Sequence, residues 1–162
     1  MNFRDVPRAS DEQIVRTMAA ATGFFRPDEV EVAAELVRER LARGMASGYE
    51  FLFADAPDGA VMGYSCYGEI ACTIGSYDLF WIVVDPAHQR KGLGRALVAE
   101  TERRIAAKGG RRIYIETSSL PQYAPTQGFY DSCGYIIEAR LEDFYKPGDA
   151  KLVYVKAVGP SR

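Results

Sequence analysis

The stretch "DPAHQRKGLGRAL", residues 85–97, sets two glycines, Gly92 and Gly94, among basic and amide side chains where a helix-like pattern begins. A helix leaves its first four N–H groups without internal acceptors, and its dipole favours negative charge at that end. Gln89, Arg90, Lys91 and Arg95 add donors and positive charge around the same turn. This chemistry suits an anion such as a diphosphate better than a lone metal ion. The bland reading is a tight connection whose basic groups face water. The turn lacks the G-x-x-x-x-G-K-[ST] pattern of a nucleotide-hydrolysing loop, and it lacks the third glycine and early-strand setting of a dinucleotide fingerprint. The only histidine, His88, lies in this turn, so a Ser-His-Asp or Cys-His arrangement would have to use it.

Composition narrows the partners. The 162 residues amount to about one domain, so a single domain over 1–162 is expected, with a flexible "GPSR" end. Twenty basic against 22 acidic side chains, mixed along the chain, give a net charge of -2 and no sign of a general nucleic-acid binder. Cys66, Cys72 and Cys133 form an odd, sparse set without metal-ligand spacing; no metal site is expected, and a reducing cytoplasm is. Neither a secretory h-region nor an 18-residue apolar span is apparent, so no membrane association is expected.

The elements that must position the turn follow from periodicity. "FRDV" at 3–6 reads as a short strand closed by Pro7. Ser10, with Gln13 three residues on, resembles a helix cap ahead of Ile14, Met18 and Ala21. Pro27 opens a second helix striped by Val30, Ala33, Val37 and Leu41 and stopped at Gly44. "YEFLFA" (49–54) and "AVMGYSCY" (60–67) flank "DAPDG" as an antiparallel hairpin. Residues 77–84 form a strand apolar on both faces, hence central. A helix from about 92 to 108 ends at Gly109-Gly110. A strand at 111–117, a short helix at 126–132 and strands at 135–144 and 150–158 about the Pro147-Gly148 turn complete an α/β chain. Its sheet is expected to be mixed and mainly antiparallel, with one strand-helix-strand crossover.

"HQRKGLGRAL" after "DLFWIVVDP", together with the later "GFYDSCGY", resembles the GCN5-related N-acetyltransferase (GNAT) superfamily. Gln89, Gly92 and Gly94 match its Q/R-x-x-G-x-G/A signature, and the element order is similar over nearly the whole chain. The resemblance implies the GNAT fold, a mainly antiparallel central sheet flanked by helices, and acetyl transfer from acetyl-coenzyme A to an amine. It implies that backbone groups of Val83 and Val84 pair with the pantetheine arm and that amides across Arg90, Lys91, Gly92, Leu93, Gly94 and Arg95 receive the pyrophosphate, with Gln89 and Arg90 side chains at the rim. The family's asparagine seven residues before its tyrosine is Tyr123 here; Ser118 or Ser119 is a substitute contact.

An attacking amine must be neutral, whereas a lysine-like amine with a pKa near 10.4 is mostly charged at neutral pH, so a carboxylate or a water must take its proton. The resemblance points to Asp78, eleven residues before Gln89, as that base, shorter by one methylene than the family's glutamate. Glu69 is the alternate acceptor or an ammonium anchor. Tyr130, before the glycine-terminated helix, corresponds to the tyrosine that donates to the leaving thiolate. Projection of the acceptor region implicates Phe24, Phe25, Arg26, Tyr67 to Cys72 (Glu69 included) and Tyr145. The expected acceptor is a small amino compound or amino-acid-like amine. Protein N-terminal or lysine acetylation and a non-catalytic acyl-coenzyme A sensor are the alternatives. A homodimer is common in the resembling family.

Overall fold

In the computed structural model, which describes residues 1–159, the elements follow the sequence patterns with small shifts of boundary. The flexible end expected at "GPSR" falls mostly on 160–162, outside the described residues. Strand β1 covers Asn2–Arg4, followed by helices α1 (Asp11–Ala21) and α2 (Pro27–Arg43). Strands β2 (Glu50–Asp55), β3 (Val61–Glu69) and β4 (Ser76–Val84) precede α3 (Leu93–Ala107) and β5 (Arg112–Ser118). Helix α4 (Ala124–Ser132) and strands β6 (Ile136–Lys146) and β7 (Asp149–Ala157) end the chain. The strands make a mixed, mainly antiparallel sheet flanked by helices.

Two helix starts depart from expectation. Ser10 is already helical (φ -68°, ψ -21°) and its side chain caps nothing. The buried carboxylate of Asp11 accepts the Arg8 N–H at 2.6 Å instead. Helix α4 begins at Ala124, two residues early, because Pro125 fits a first turn whose N–H groups need no internal acceptor. In α2, Pro27 and the acids Asp28 and Glu29 start the helix and Arg40 and Arg43 end it, as the dipole favours. Its stripe of Val30, Ala33 and Val37 is buried, but Leu41 is 42% exposed, so the apolar face stops a turn short.

The chain forms two compact units. The first joins Met1–Gly68 to Trp81–Thr101. In it β1, β2 and β3 run antiparallel in that order. Phe51, Phe53, Tyr64 and Cys66 point to one face, where Val15 and Met18 of α1, Ala33 and Val37 of α2, and Val83 of β4 enclose them. A fully buried aromatic of this kind contributes about 1.5–3 kcal/mol. On α3, the Thr101 hydroxyl donates to the Leu97 carbonyl (2.7 Å) and contacts Ser65 of β3 at 2.8 Å, so two buried hydroxyls satisfy each other.

The second unit joins Glu69–Phe80 to the chain from Glu102 onward. Here β4 pairs in parallel with β5, β5 antiparallel with β7, and β7 with β6. The parallel step is the expected crossover. Lys156 of β7 bonds both Glu102 oxygens (3.0 and 2.9 Å) and the Cys133 carbonyl (2.8 Å), tying the second half of α3 to the end of α4.

In the first unit Arg4 is clamped between Asp55 (2.8 Å) and Asp11 (2.7 Å) and lies over the Phe53 ring at 4.4 Å. Both carboxylates are buried. Removing the cation strands two charges away from water, so Arg4→Met is expected to lower unfolding free energy by about 3–5 kcal/mol. Urea denaturation measures it.

Candidate active site

At the end of β4, in the first unit, the chain is held from two sides. The Asp85 N–H bonds the Met62 carbonyl of β3 at 2.9 Å. Gly63 of β3 has no side chain where a Cβ would lie 2.9 Å from the Val83 carbonyl oxygen and 3.3 Å from the Val84 Cα. Beyond the strand, the Asp85 carboxylate accepts the Ala87 N–H at 2.8 Å, opening a short 3-10 turn over Pro86–His88. The Gln89 amide nitrogen then reaches back to the Val84 carbonyl (3.1 Å), and Lys91 Nζ lies 3.4 Å from the Ala87 carbonyl. Gln89 therefore braces the loop against its own strand, and it occupies the Val84 oxygen.

Arg90 (φ 60°) and Gly92 (φ 79°) both adopt the left-handed region. Such alternation turns successive N–H groups toward a common concavity that favours anions. Helix α3 starts next, its first turn-closing bond running from the Ala96 N–H to the Gly92 carbonyl at 3.1 Å. The amides of Leu93 and Gly94 precede that bond and have no carbonyl within the helix to receive them. Leu93, Gly92, Lys91 and His88 also line an open groove of about 200 Å³ with Met1, Met62 and Ala96. Donor set and conformation fit a diphosphate. Among the described residues no cluster of His, Cys, Asp or Glu is arranged to hold a metal ion.

In the second unit the β4–β5 ladder runs through Ser76↔Arg112, Tyr77↔Ile113 and Asp78↔Tyr114, and stops there. Past Tyr114, β5 keeps its partner β7 as far as Ser118. Asp78 thus occupies the last rung before a fork. Its carboxylate is partly buried and has no hydrogen bond or ion pair with any described residue. Burial first, then the neighbouring Glu116, push its pKa above the ordinary carboxylate value, while Lys151 opposes them.

Tyr130 of α4 is 7% exposed, packed against Tyr154 (ring centroids 5.6 Å) and Tyr135 (6.3 Å). Burial drives its pKa far above 10, and no described residue bonds its hydroxyl. Asp78 is only partly buried and the Tyr130 hydroxyl is not among the side-chain atoms shut off from solvent without a partner, so both polar groups are open to a ligand.

The other expected residues divide between chemistry and scaffold. The Glu69 carboxylate accepts the Gly75 N–H at 3.1 Å and closes the 69–75 turn, in which Cys72 is exposed with φ 64°. Ser118 is buried, its hydroxyl donating to Asp149 and accepting the Leu120 N–H at 3.1 Å; it is spent on the chain turn after β5. Tyr123 immediately precedes α4. Phe25 packs edge-on against Trp81 (5.0 Å) beside the core and meets Phe24 at 6.0 Å. Arg26 is 74% exposed and ion-paired with Asp28 and Glu29. Tyr67, expected at the acceptor, is only 2% exposed and belongs to the core of the first unit, while Tyr145 is 47% exposed on β6. Sequence reasoning missed Gly63, Glu116 and Lys151. Only an isolated glycine inside the β3 pattern hinted at a close backbone approach.

The sequence profile described as "Acetyltransferase (GNAT) domain" matches residues 47–137. The chain belongs to this family of acetyltransferases. The structure of a GNAT-family protein from Desulfovibrio desulfuricans superposes with a TM-score of 0.94 at 46% identity, covering 97% of this chain and 98% of the other. An aminoglycoside 6'-N-acetyltransferase solved with coenzyme A shares the fold (TM-score 0.81, 19% identity, 100% and 99% covered). A mycothiol acetyltransferase from Kineococcus radiotolerans is 32% identical over 116 residues, 71% of this chain; the aligned stretch spans 37% of that relative's length.

An added methyl at Gly63 meets backbone that cannot swing aside. Gly63→Ala is expected to cost about 1–3 kcal/mol, the range for overpacking, with β4 displaced at Val83 and Val84. Thermal unfolding and amide exchange at the Asp85 N–H report it.

Proposed function

We propose that residues 1–162 act as one N-acetyltransferase domain that moves an acetyl group from acetyl-coenzyme A to the primary amine of a small amino compound or amino-acid-like acceptor. The observation that carries this reading is the partly buried, unpartnered Asp78 carboxylate at the β4–β5 fork. Asp78, directly or through a water, takes the proton from the acceptor nitrogen as the N–C bond forms. Its raised pKa suits that task, since a stronger base shares more of an ammonium's proton. Tyr130 gives its proton to the sulfur as the C–S bond breaks; burial keeps that phenol protonated throughout the neutral range. The acetyl group itself is supplied as an activated thioester.

The coenzyme's diphosphate is assigned to the Arg90–Arg95 loop, whose left-handed residues and open helix start fit it. The pantetheine arm is assigned to backbone groups of Val83 and Val84 other than the Val84 carbonyl, which Gln89 already holds. The coenzyme A bound by the aminoglycoside enzyme supports the cofactor, and the small molecules in the names of the aminoglycoside and mycothiol enzymes support a small-molecule reading. Three unpaired cysteines suit a reducing cytoplasm, and no helix among the described residues is long and apolar enough to cross a membrane.

The reading includes a homodimer. Strand β6 lies at the sheet edge with Ile136, Ile137, Leu141, Phe144 and Tyr145 all exposed. Arg140 stands between Glu138 and Glu142, so two antiparallel copies can set Arg140 opposite an acid of the other. Sedimentation is expected to give twice the chain mass for the parent and a single mass for Leu141→Lys.

Thiol release with a broad amine panel tests turnover. Asp78→Asn and Tyr130→Phe are each expected to reduce kcat by on the order of 10²-fold or more while coenzyme binding persists. Parent-like turnover in both would remove the assigned roles; binding without release in the parent would leave a sensor. Activity is expected to fall as pH drops through the raised Asp78 pKa, because the base must be ionised. Stability has the opposite sign. A folded pKa above the unfolded value of about 3.9 means that ionising Asp78 costs stability as pH rises between the two, so Asp78→Asn should unfold at a higher temperature at neutral pH.

A further inference from the structure

Lys151 of β7 is nearly enclosed, with its side chain 14% exposed. Its Nζ lies 2.8 Å from Glu116 Oε1 and 4.3 Å above the Phe144 ring. The register explains the meeting. Lys151 stands opposite Ser118 on β5, one same-face position beyond Glu116, which itself stands opposite Val153. Side chains two apart on a strand share a face, so Tyr114, Glu116 and Ser118 project to the side on which Asp78, opposite Tyr114, also projects. Asp78 and Glu116 are therefore diagonal neighbours across the last rung of the ladder, within reach of each other's charge.

We infer that the Lys151–Glu116 ion pair is a positioning device that sets the proton affinity of Asp78. The inference rests on the proposed role of Asp78 as base. Closed, the pair presents Asp78 with two opposed charges. Without the ammonium, Glu116 is an uncompensated like charge two positions along the neighbouring strand, and Asp78 holds its proton more tightly. Without the Glu116 charge, the ammonium has Asp78 as its remaining nearby carboxylate, and Asp78 releases its proton more readily. The Phe144 ring gives the ammonium a second contact, one that does not depend on the Glu116 charge.

The other groups on this face do not substitute. Arg112, on β5 beyond Tyr114, lies 3.8 Å from Glu138 of β6. Tyr114 brings a phenol, neither a carboxylate nor an ammonium. On β4 the flanking same-face residues, Ser76 and Phe80, carry no charge, and on β7 Val153 and Val155 carry none. The charged groups that act on Asp78 are thus Glu116 and Lys151, pulling in opposite directions.

The test is a carbon-13 carboxyl titration of Asp78 by NMR, with the pH profile of kcat/KM recorded alongside, on the parent, Lys151→Met, Glu116→Gln and the double variant. The midpoint is expected to move up in Lys151→Met, down in Glu116→Gln, and back toward the parent in the double variant; the acid limb of kcat/KM should move with it. Glu116→Gln preserves shape, so a folding defect in Lys151→Met would not remove the test. An Asp78 midpoint that stays in place in Glu116→Gln, or moves the same way in both single variants, overturns the inference. The base assignment fails separately: Asp78→Asn would then retain turnover, whatever the titration of the parent Asp78 shows.

Discussion

The parallel ladder between β4 and β5 lasts three rungs, and the role proposed for Asp78 depends on its stopping there. A longer ladder would give Asp78 neighbours on all sides and spend the strand edges on each other. On its other edge β5 pairs with β7 over all seven residues from Arg112 to Ser118, so past Tyr114 only the edge that faced β4 loses its partner. Backbone amides and carbonyls released from a ladder must find another partner or water. A fork in a sheet is therefore a place where polar backbone and a partly buried carboxylate coexist without internal satisfaction. That is costly for stability and suited to holding an extended ligand.

The end of β4 is set by the opposite means. There the backbone is pinned by contact so close that only glycine fits, at Gly63, and by the hydrogen bond from Asp85 to Met62. The loop beyond adds strain, since Arg90 holds a left-handed conformation that costs a non-glycine residue about 1–2 kcal/mol. The Gln89 bond to Val84 and the Asp85 bond to Ala87 return a comparable amount, about 1 kcal/mol each. The loop is thus near balance rather than strongly stabilised. Its conformation is owed to local geometry, with basic side chains such as Lys91 turned onto backbone carbonyls.

Much of this was legible in the sequence because it is local. The stripe of Val30, Ala33 and Val37, the Pro147-Gly148 turn and the apolar β4 run each state their periodicity within a few residues. The glycine pair at a basic helix start announced the loop for the same reason. Features made by residues far apart were illegible. Gly63 matters because of Val83, and Lys151 meets Glu116 only through the register of β5 on β7. Glu69, expected as an alternate proton acceptor or ammonium anchor, accepts the Gly75 N–H, and Tyr67, projected to the acceptor region, is buried; neither environment is stated by the residues beside it in the chain. The left-handed Arg90 has no compositional signal at all, since arginine does not favour that region.

The two units interleave along the chain: the first is interrupted by 69–80, and the second is incomplete until residues from Glu102 onward are made. During synthesis, β1 to β3 with α1 and α2 emerge early, yet their core still lacks Val83, and the segment carrying Asp78 must wait for β5, which is translated more than thirty residues later. Such long-range closures slow folding relative to a chain of local contacts. A nascent chain halted between the two segments would expose a strand prepared for pairing with no partner yet in existence, making the ribosome-bound interval its period of greatest risk for aggregation.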